Sequence, residues 1–110
     1  MQLESIDLES KISQIGDKPW QPVEIATVND QVVRLAYMKG EYHWHQHKND
    51  DELFFIIRGN LVIQIKNQDD IILSEGQMVV VPKGIEHCPK SEKGAYVLMF
   101  EPQVLQSAGS

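Results

Sequence analysis

The sequence predicts an all-β protein built as a single domain, with one short helix before the β-rich part. From Val23 onward, runs of apolar, β-branched and aromatic residues form about nine short strands. Turn residues interrupt these runs roughly every 8–12 residues, which is typical of a sandwich or barrel. The 110 residues suffice for one core and not for two. The pattern alone leaves a jelly roll, an immunoglobulin-like sandwich and an up-and-down barrel open.

Composition narrows the class of protein. A hydrophobic content of 42% and a charged content of 24% are those of an ordinary soluble domain. No apolar run is long enough to predict a membrane span, and the start MQLESIDLES lacks the features of a secretory signal. The single cysteine excludes an internal disulfide and favours a cytoplasmic protein. A net charge of −6 argues against nucleic acid as a partner.

The N-terminal segment predicts a short helix over residues 5–16, with its core over about 7–15. Apolar residues recur there at positions i, i+4 and i+7, namely Leu8, Ile12 and Ile15. Asp7 is the expected N-cap and Gly16 the expected stop. So short a helix is marginal alone, so it must pack on the rest of the domain.

Strands account for nearly everything that follows. The clearest predicted strands are 23–28, 32–38, 42–47, 52–58, 61–66, 71–73, 77–81 and 95–100. Asn29-Asp30 is a favourable turn pair between the first two. The barrel core is expected over about residues 20–102 of a single domain, 1–110, and the small polar tail 103–110 is expected to be loosely held.

Three of the four histidines fall in the strand predicted at 42–47. His43, His45 and His47 alternate, so they share one face about 6.5–7 Å apart. Two imidazoles at this spacing can lean onto one metal ion, because each metal–nitrogen bond is only about 2 Å long. Glu52 begins the next strand just beyond a polar turn, so its carboxylate can return to the same centre.

Two spaced motifs carry a family resemblance. The first reads H-x-H, four residues, E, six residues, G, on His45, His47, Glu52 and Gly59. The second reads G, five residues, P-x-G, two residues, H, on Gly76, Pro82, Gly84 and His87. In this order and spacing the stretches resemble the two motifs of the cupin superfamily. They are closest to small single-domain cupins often described as mannose-6-phosphate-isomerase-like. Gly40 and Ser91 depart from the usual pattern, and neither is at a ligand position.

The resemblance implies a jelly-roll barrel, or double-stranded β-helix, with one divalent transition metal on His45, His47, Glu52 and His87. Three imidazoles and a carboxylate suit Mn, Fe, Co, Ni, Cu or Zn. Four protein ligands leave an octahedral ion two open positions, which is typical of a catalytic site. The implied function is a small-molecule metalloenzyme of isomerase or dioxygenase type; the alternative is a non-catalytic module that binds a metal and a small ligand. A homodimer is also implied.

Residues beside the ligands are further candidates. His43 and Tyr42 are the nearby groups that can transfer a proton, although a rim histidine facing water is the stronger interpretation of His43. By strand parity, Cys88 points away from the metal. Arg34 faces either a pocket anion or, as we favour, the outer surface.

A second group of predictions concerns packing. Phe54 and Ile56 share the parity of Glu52, so they are expected to line the barrel interior. Leu53, Phe55 and Ile57 face the other way, against a second sheet or a dimer seam, and Trp44 is expected to serve packing.

Overall fold

The structure is a computed structural model that describes residues 3–103. Its elements are α1 (Leu8–Ile15), β1 (Val23–Val28), β2 (Gln31–Glu41), β3 (Glu52–Gly59), β4 (Leu61–Ile65), β5 (Ile71–Leu73), β6 (Met78–Val81) and β7 (His87–Pro102). The predicted tail 103–110 lies, apart from Gln103, outside the described residues. No helix in the described part of the chain is both long enough and apolar enough to cross a membrane.

The predicted helix and both of its caps are confirmed. The Asp7 carboxylate accepts a hydrogen bond from the Ser10 amide at 3.2 Å, and the Gly16 amide donates to the Ile12 carbonyl at 3.1 Å. Gly16 has a φ of +67°, which a glycine adopts without strain. Ile12 is buried, and the helix contacts β2. The helix therefore gains its stability from packing on the outside of the sheet.

The strands form an antiparallel jelly-roll barrel organised around β7. The main path runs in the order β1-β2-β7-β3-β6, and β4 pairs with both β5 and β7. One edge of β7 pairs along β2. Its other edge pairs with β4 through residues 87–90 and with β3 through residues 95–100. A single strand thus connects both parts of the barrel.

Two predicted boundaries are wrong, and both lie near the histidines. Residues 42–47 are not a regular strand; they contain one isolated bridge, between His45 and His87. In contrast, β7 begins at His87 and not at Ala95, so the described residues contain seven strands. Pro89, Ser91 and Gly94 have low strand propensity and concealed the first half of β7, which its long-range pairing with β2 and β4 stabilises.

Alternation along the strands separates the barrel interior from its outside. Phe54 and Ile56 are buried beside Glu52, as their parity predicts. Leu53, Phe55 and Ile57 on the opposite face are half-buried. On β7 the buried positions of the second half are Ala95, Val97, Met99 and Glu101. The inner face of the second half of this strand is therefore apolar except at Glu101.

Candidate metal centre

The structure brings the four predicted ligands together. His45 and His47 lie on the segment that precedes β3, Glu52 is the first residue of β3, and His87 is the first residue of β7. One donor atom from each of the four residues lies within 4.8 Å of all the others. His47, Glu52 and His87 are buried, and His45 is half-buried at the open side. The four residues can therefore hold one ion at the inner end of an opening.

Backbone carbonyls orient two of the imidazoles. The Nδ1 atom of His45 is 3.0 Å from the His43 carbonyl oxygen, and the Nδ1 atom of His87 is 2.8 Å from the Ile85 carbonyl oxygen. A carbonyl only accepts hydrogen bonds, so each Nδ1 carries the proton and each Nε2 keeps its lone pair. A donated Nδ1–H that fixes the tautomer is the usual arrangement of a metal-binding histidine.

Four nitrogen and oxygen atoms of the cluster that could ligate a metal are buried without hydrogen-bond partners among the described residues. They are His47 Nδ1, His47 Nε2, Glu52 Oε1 and His87 Nε2. The Nε2 of His47 lies 3.3 Å from Glu52 Oε1, and the Nε2 of His87 lies 3.9 Å from it. Buried polar atoms are rarely left unpaired. Two ligands of one ion lie at most two bonds apart, about 4.2 Å, so small side-chain rotations suffice. The donor set fits a divalent transition metal.

Burial keeps the imidazoles in the form that binds metals. It lowers the pKa of His45 to about 4, and it also lowers the pKa of His47 and of His87. Burial raises the pKa of Glu52, while a hydrogen bond from Glu101 and the charge of Arg34 act in the opposite direction. Neutral histidines do not need to lose a proton before they ligate a metal.

The lowered histidine pKa predicts an acid-labile metal-free fold. His45 has a pKa of 6.5 when unfolded and about 4 when folded, so between these values the unfolded chain binds more protons. Its contribution to stability is therefore present above pH 6.5 and is lost as the pH falls towards 4. In thermal melts of metal-free protein, we expect His45→Ala to lose less stability than wild type over this interval. The exposed His43→Ala is the control, and equal slopes in all three proteins would contradict the assignment.

The structure corrects the prediction for Arg34, which does not face the outer surface. Its side chain is 13% exposed and forms ion pairs with Glu101 and with Glu24, the latter at 3.3 Å. Arg34 lies opposite Met99 in the pairing of β2 with β7, and Met99 is an interior position. Cross-strand partners point to the same side of a sheet, so the guanidinium is directed inward.

Glu101 is a site residue that sequence reasoning missed. It is 1% exposed, and its carboxyl group is hydrogen-bonded to Glu52 and to Arg34. Burial raises the pKa of Glu101 to about 8, with the hydrogen bond and the charge of Glu52 adding to the effect and Arg34 opposing it. Burial and the neighbouring Glu52 therefore favour the protonated form of Glu101, whereas Arg34 favours its carboxylate. The sequence feature that could have indicated its burial is its position, two residues beyond Met99 and therefore on the same face of the strand.

A cavity opens beside the cluster. The empty space inside it amounts to about 360 Å³, counted together with the open solvent at its mouth. Tyr42, His45 and Glu52 form its polar side. Its apolar wall consists mainly of Trp20, Pro22, Met38, Phe54, Pro89 and Met99. Among the described residues the lining includes no lysine or arginine. The cavity therefore offers a mostly apolar surface next to the candidate metal ligands.

The other candidates occupy different positions. Tyr42 lines the cavity, and its ring lies 3.9 Å from that of His43 and 5.4 Å from that of His45, centre to centre. His43 is exposed and is not part of the lining, which agrees with a rim histidine facing water. Trp44 is 47% exposed, and Cys88 is fully buried, with a pKa that burial raises.

Comparison with known proteins identifies the family. The Cupin_2 family, described as a Cupin domain, matches residues 31–101. This match covers more than half of the chain and includes all four proposed ligands. The chain belongs to the cupin family.

Individual relatives agree with this assignment. A crystal structure of a cupin-2 domain containing protein from Shewanella frigidimarina superposes with a TM-score of 0.85 at 36% identity, covering 89% of this chain and 94% of that one. The uncharacterized protein YdbB of Bacillus subtilis is 42% identical over 67 residues, which are 61% of this chain and 59% of YdbB.

Two more distant relatives carry the names of dioxygenases. An acireductone dioxygenase of Sulfurihydrogenibium sp. is 25% identical over 72% of this chain and 46% of its own length. The 3-hydroxyanthranilate 3,4-dioxygenase 2 of Aspergillus fumigatus is 31% identical over 69% of this chain and 39% of its own. This chain spans less than two thirds of each of these curated relatives.

Proposed function

We propose that this protein is a metal-dependent dioxygenase of a small molecule, with one divalent ion, iron in the active form, held by His45, His47, Glu52 and His87. One observation carries the proposal. Buried imidazole and carboxylate atoms without partners among the described residues converge at the inner end of an apolar cavity. The names of the two dioxygenase relatives support the reaction type.

Different residues of the chain are proposed to bind the metal, exclude water and transfer a proton. The four residues would hold the iron, which would supply the chemistry of oxygen activation next to the substrate. His45 and His87 hold their Nε2 atoms towards the ion through Nδ1–carbonyl contacts. The apolar wall excludes water from the reacting groups. Tyr42, the one phenol that the described residues contribute to the lining, is the proposed proton-transfer group, and His43, whose ring packs on that of Tyr42, is proposed to orient it.

A phosphosugar isomerase is the less favoured function, despite the likeness of the motifs to cupins described as mannose-6-phosphate-isomerase-like. A phosphate pocket needs cationic side chains, and the four basic residues that could supply them lie elsewhere. Arg34 pairs with Glu101, Arg58 pairs with Glu9 on the surface, and Lys39 and Lys83 are outside the lining.

Oxygen consumption tests the proposal directly. Protein loaded anaerobically with ferrous iron is mixed with small diols, enediols and thiols in aerated buffer, and an oxygen electrode records uptake. We expect uptake with at least one substrate, and none with His47→Ala at equal protein concentration. If fully iron-loaded protein consumes no oxygen with any of these compounds but still binds them, the protein is a non-catalytic binding module.

A homodimer in the cytoplasm completes the proposal. Two outward residues of the edge strand β6 are exposed and apolar, Met78 at 58% and Val80 at 49%. Covering them with a second copy would bury this exposed apolar surface. Light scattering is expected to give twice the chain mass of 12.6 kDa, and a mass of one chain would contradict the dimer.

The cytoplasmic location is inferred from the single, buried cysteine.

A further inference from the structure

Trp20 has an unusual backbone conformation at the mouth of the cavity. Its φ is +64°, a region that bulky residues adopt only under strain. Three contacts hold it there: its amide donates to the Tyr37 carbonyl at 2.8 Å, its indole N–H donates to the Lys39 carbonyl at 2.8 Å, and its ring stacks on Tyr42 with centroids 4.8 Å apart. Strained residues fixed by their surroundings cluster at functional sites.

Because these contacts fix the Trp20 side chain, its ring forms a fixed part of the cavity lining. Its only polar atom is already bonded to Lys39, so the indole offers apolar surface to the cavity. The stacked Tyr42 lies between Trp20 and His43 and meets the ring of His45 edge-on. Trp20 and His45 both line the cavity, so a flat ligand body in contact with the indole has its other end beside the candidate metal ligands. Aromatic contacts of this kind contribute beyond simple burial.

We propose that the cavity selects small ligands that bind the metal through oxygen and carry a flat, uncharged, apolar body, and that Trp20 determines this selection. The inference rests on the proposed function, because it requires an ion at the four ligands. A charged substituent on the ligand body would be buried without a cation from the lining to pair with it, which is unfavourable.

Three hydroxamates that share one metal-binding group separate the effect of the body from that of the metal. Acetohydroxamate has a methyl body, benzohydroxamate a flat apolar body, and 4-carboxybenzohydroxamate a charged one. Titration calorimetry is performed on zinc-loaded protein, with the zinc content of each sample measured by mass spectrometry. We expect benzohydroxamate to bind about tenfold or more tightly than either of the others, as aromatic contact and burial together imply.

Two variants at position 20 and one control assign the preference. Trp20→Gly removes the ring, and glycine adopts the same φ without strain; we expect it to reduce the preference for benzohydroxamate to within about twofold while acetohydroxamate binds as before. Trp20→Phe retains a ring and most of the preference. Trp44→Ala removes a tryptophan that is exposed and outside the lining, and it should change nothing.

The outcomes distinguish the two proposals. Stoichiometric zinc with equal affinities for all three hydroxamates, or an equal loss for all three in Trp20→Gly, overturns the selection by Trp20 and leaves the metal site intact. Protein that takes up no zinc overturns the proposed function, and the selection falls with it. If only the charged hydroxamate binds tightly, the claim that the cavity selects ligands with an uncharged body is wrong.

Discussion

Replacing His87 by alanine is expected to reduce bound zinc from one ion per chain to nearly none. His87 supplies one of four donors, and its Nε2 is buried without another partner among the described residues. Loss of a group that merely supports a ligand weakens metal binding by about 10–100-fold, so loss of a ligand should exceed that range. The measurement is metal content after dialysis against a weak chelator, with the affinity from competition titrations.

His43→Ala is the matched control for this experiment. It removes an imidazole from the same neighbourhood, 5.3 Å from the ring of His45, that is exposed and not one of the four donors. It should retain one ion per chain at an affinity within about threefold of wild type. If His43→Ala loses the ion and His87→Ala retains it, the ligand set proposed here is wrong.

Arg34→Met is expected to destabilise the metal-free protein by about 3 kcal/mol, which is the lower end of the cost of breaking a buried ion pair. The variant leaves the buried carboxyl groups of Glu52 and Glu101 inside the barrel without the guanidinium that pairs with Glu101. For a domain of this size the melting temperature should fall by roughly 12–24 °C. Urea unfolding of metal-free protein at pH 7 measures the change.

A second substitution tests the reason for that loss. In Arg34→Met/Glu101→Leu, one of the buried carboxyl groups is replaced by an apolar side chain, so we expect recovery of at least half of the lost stability. Arg58→Met is the control, since its pair with Glu9 is exposed on both sides and should contribute less than about 1 kcal/mol. A double variant that is no more stable than Arg34→Met would refute the charge-based explanation.

The clustering of the four candidate ligands was predictable because its signal is local. His45, His47 and Glu52 lie within eight residues of one another, and the spacing of His87 from Gly76 and Pro82 resembles the second cupin motif. Glu101 and Arg34 were not predictable in the same way. Their roles depend on the register in which β2, β3 and β7 pair, and an isolated acidic or basic residue in a strand gives no indication of which face is interior.

Strand boundaries failed where tertiary contacts oppose local preference. Residues 42–47 alternate like a strand, but only His45 pairs, with His87. Trp20 lies between Pro19 and Pro22, and its positive φ is held by acceptors on β2, at Tyr37 and Lys39. Neither conformation is encoded by neighbouring residues, because the stabilising partners come from distant parts of the chain.

The position of β7 has a consequence for how quickly the ion can exchange. One strand supplies His87 at its beginning and Glu101 near its end, and it is bonded to β2, β3 and β4 between them. Separating these two groups requires the central strand to detach from its neighbours, which is an opening of nearly the whole domain. The backbone that carries His87 is therefore expected to be among the last to open, so release of a bound ion should begin at the segment that carries His45, which is held by an isolated bridge to His87.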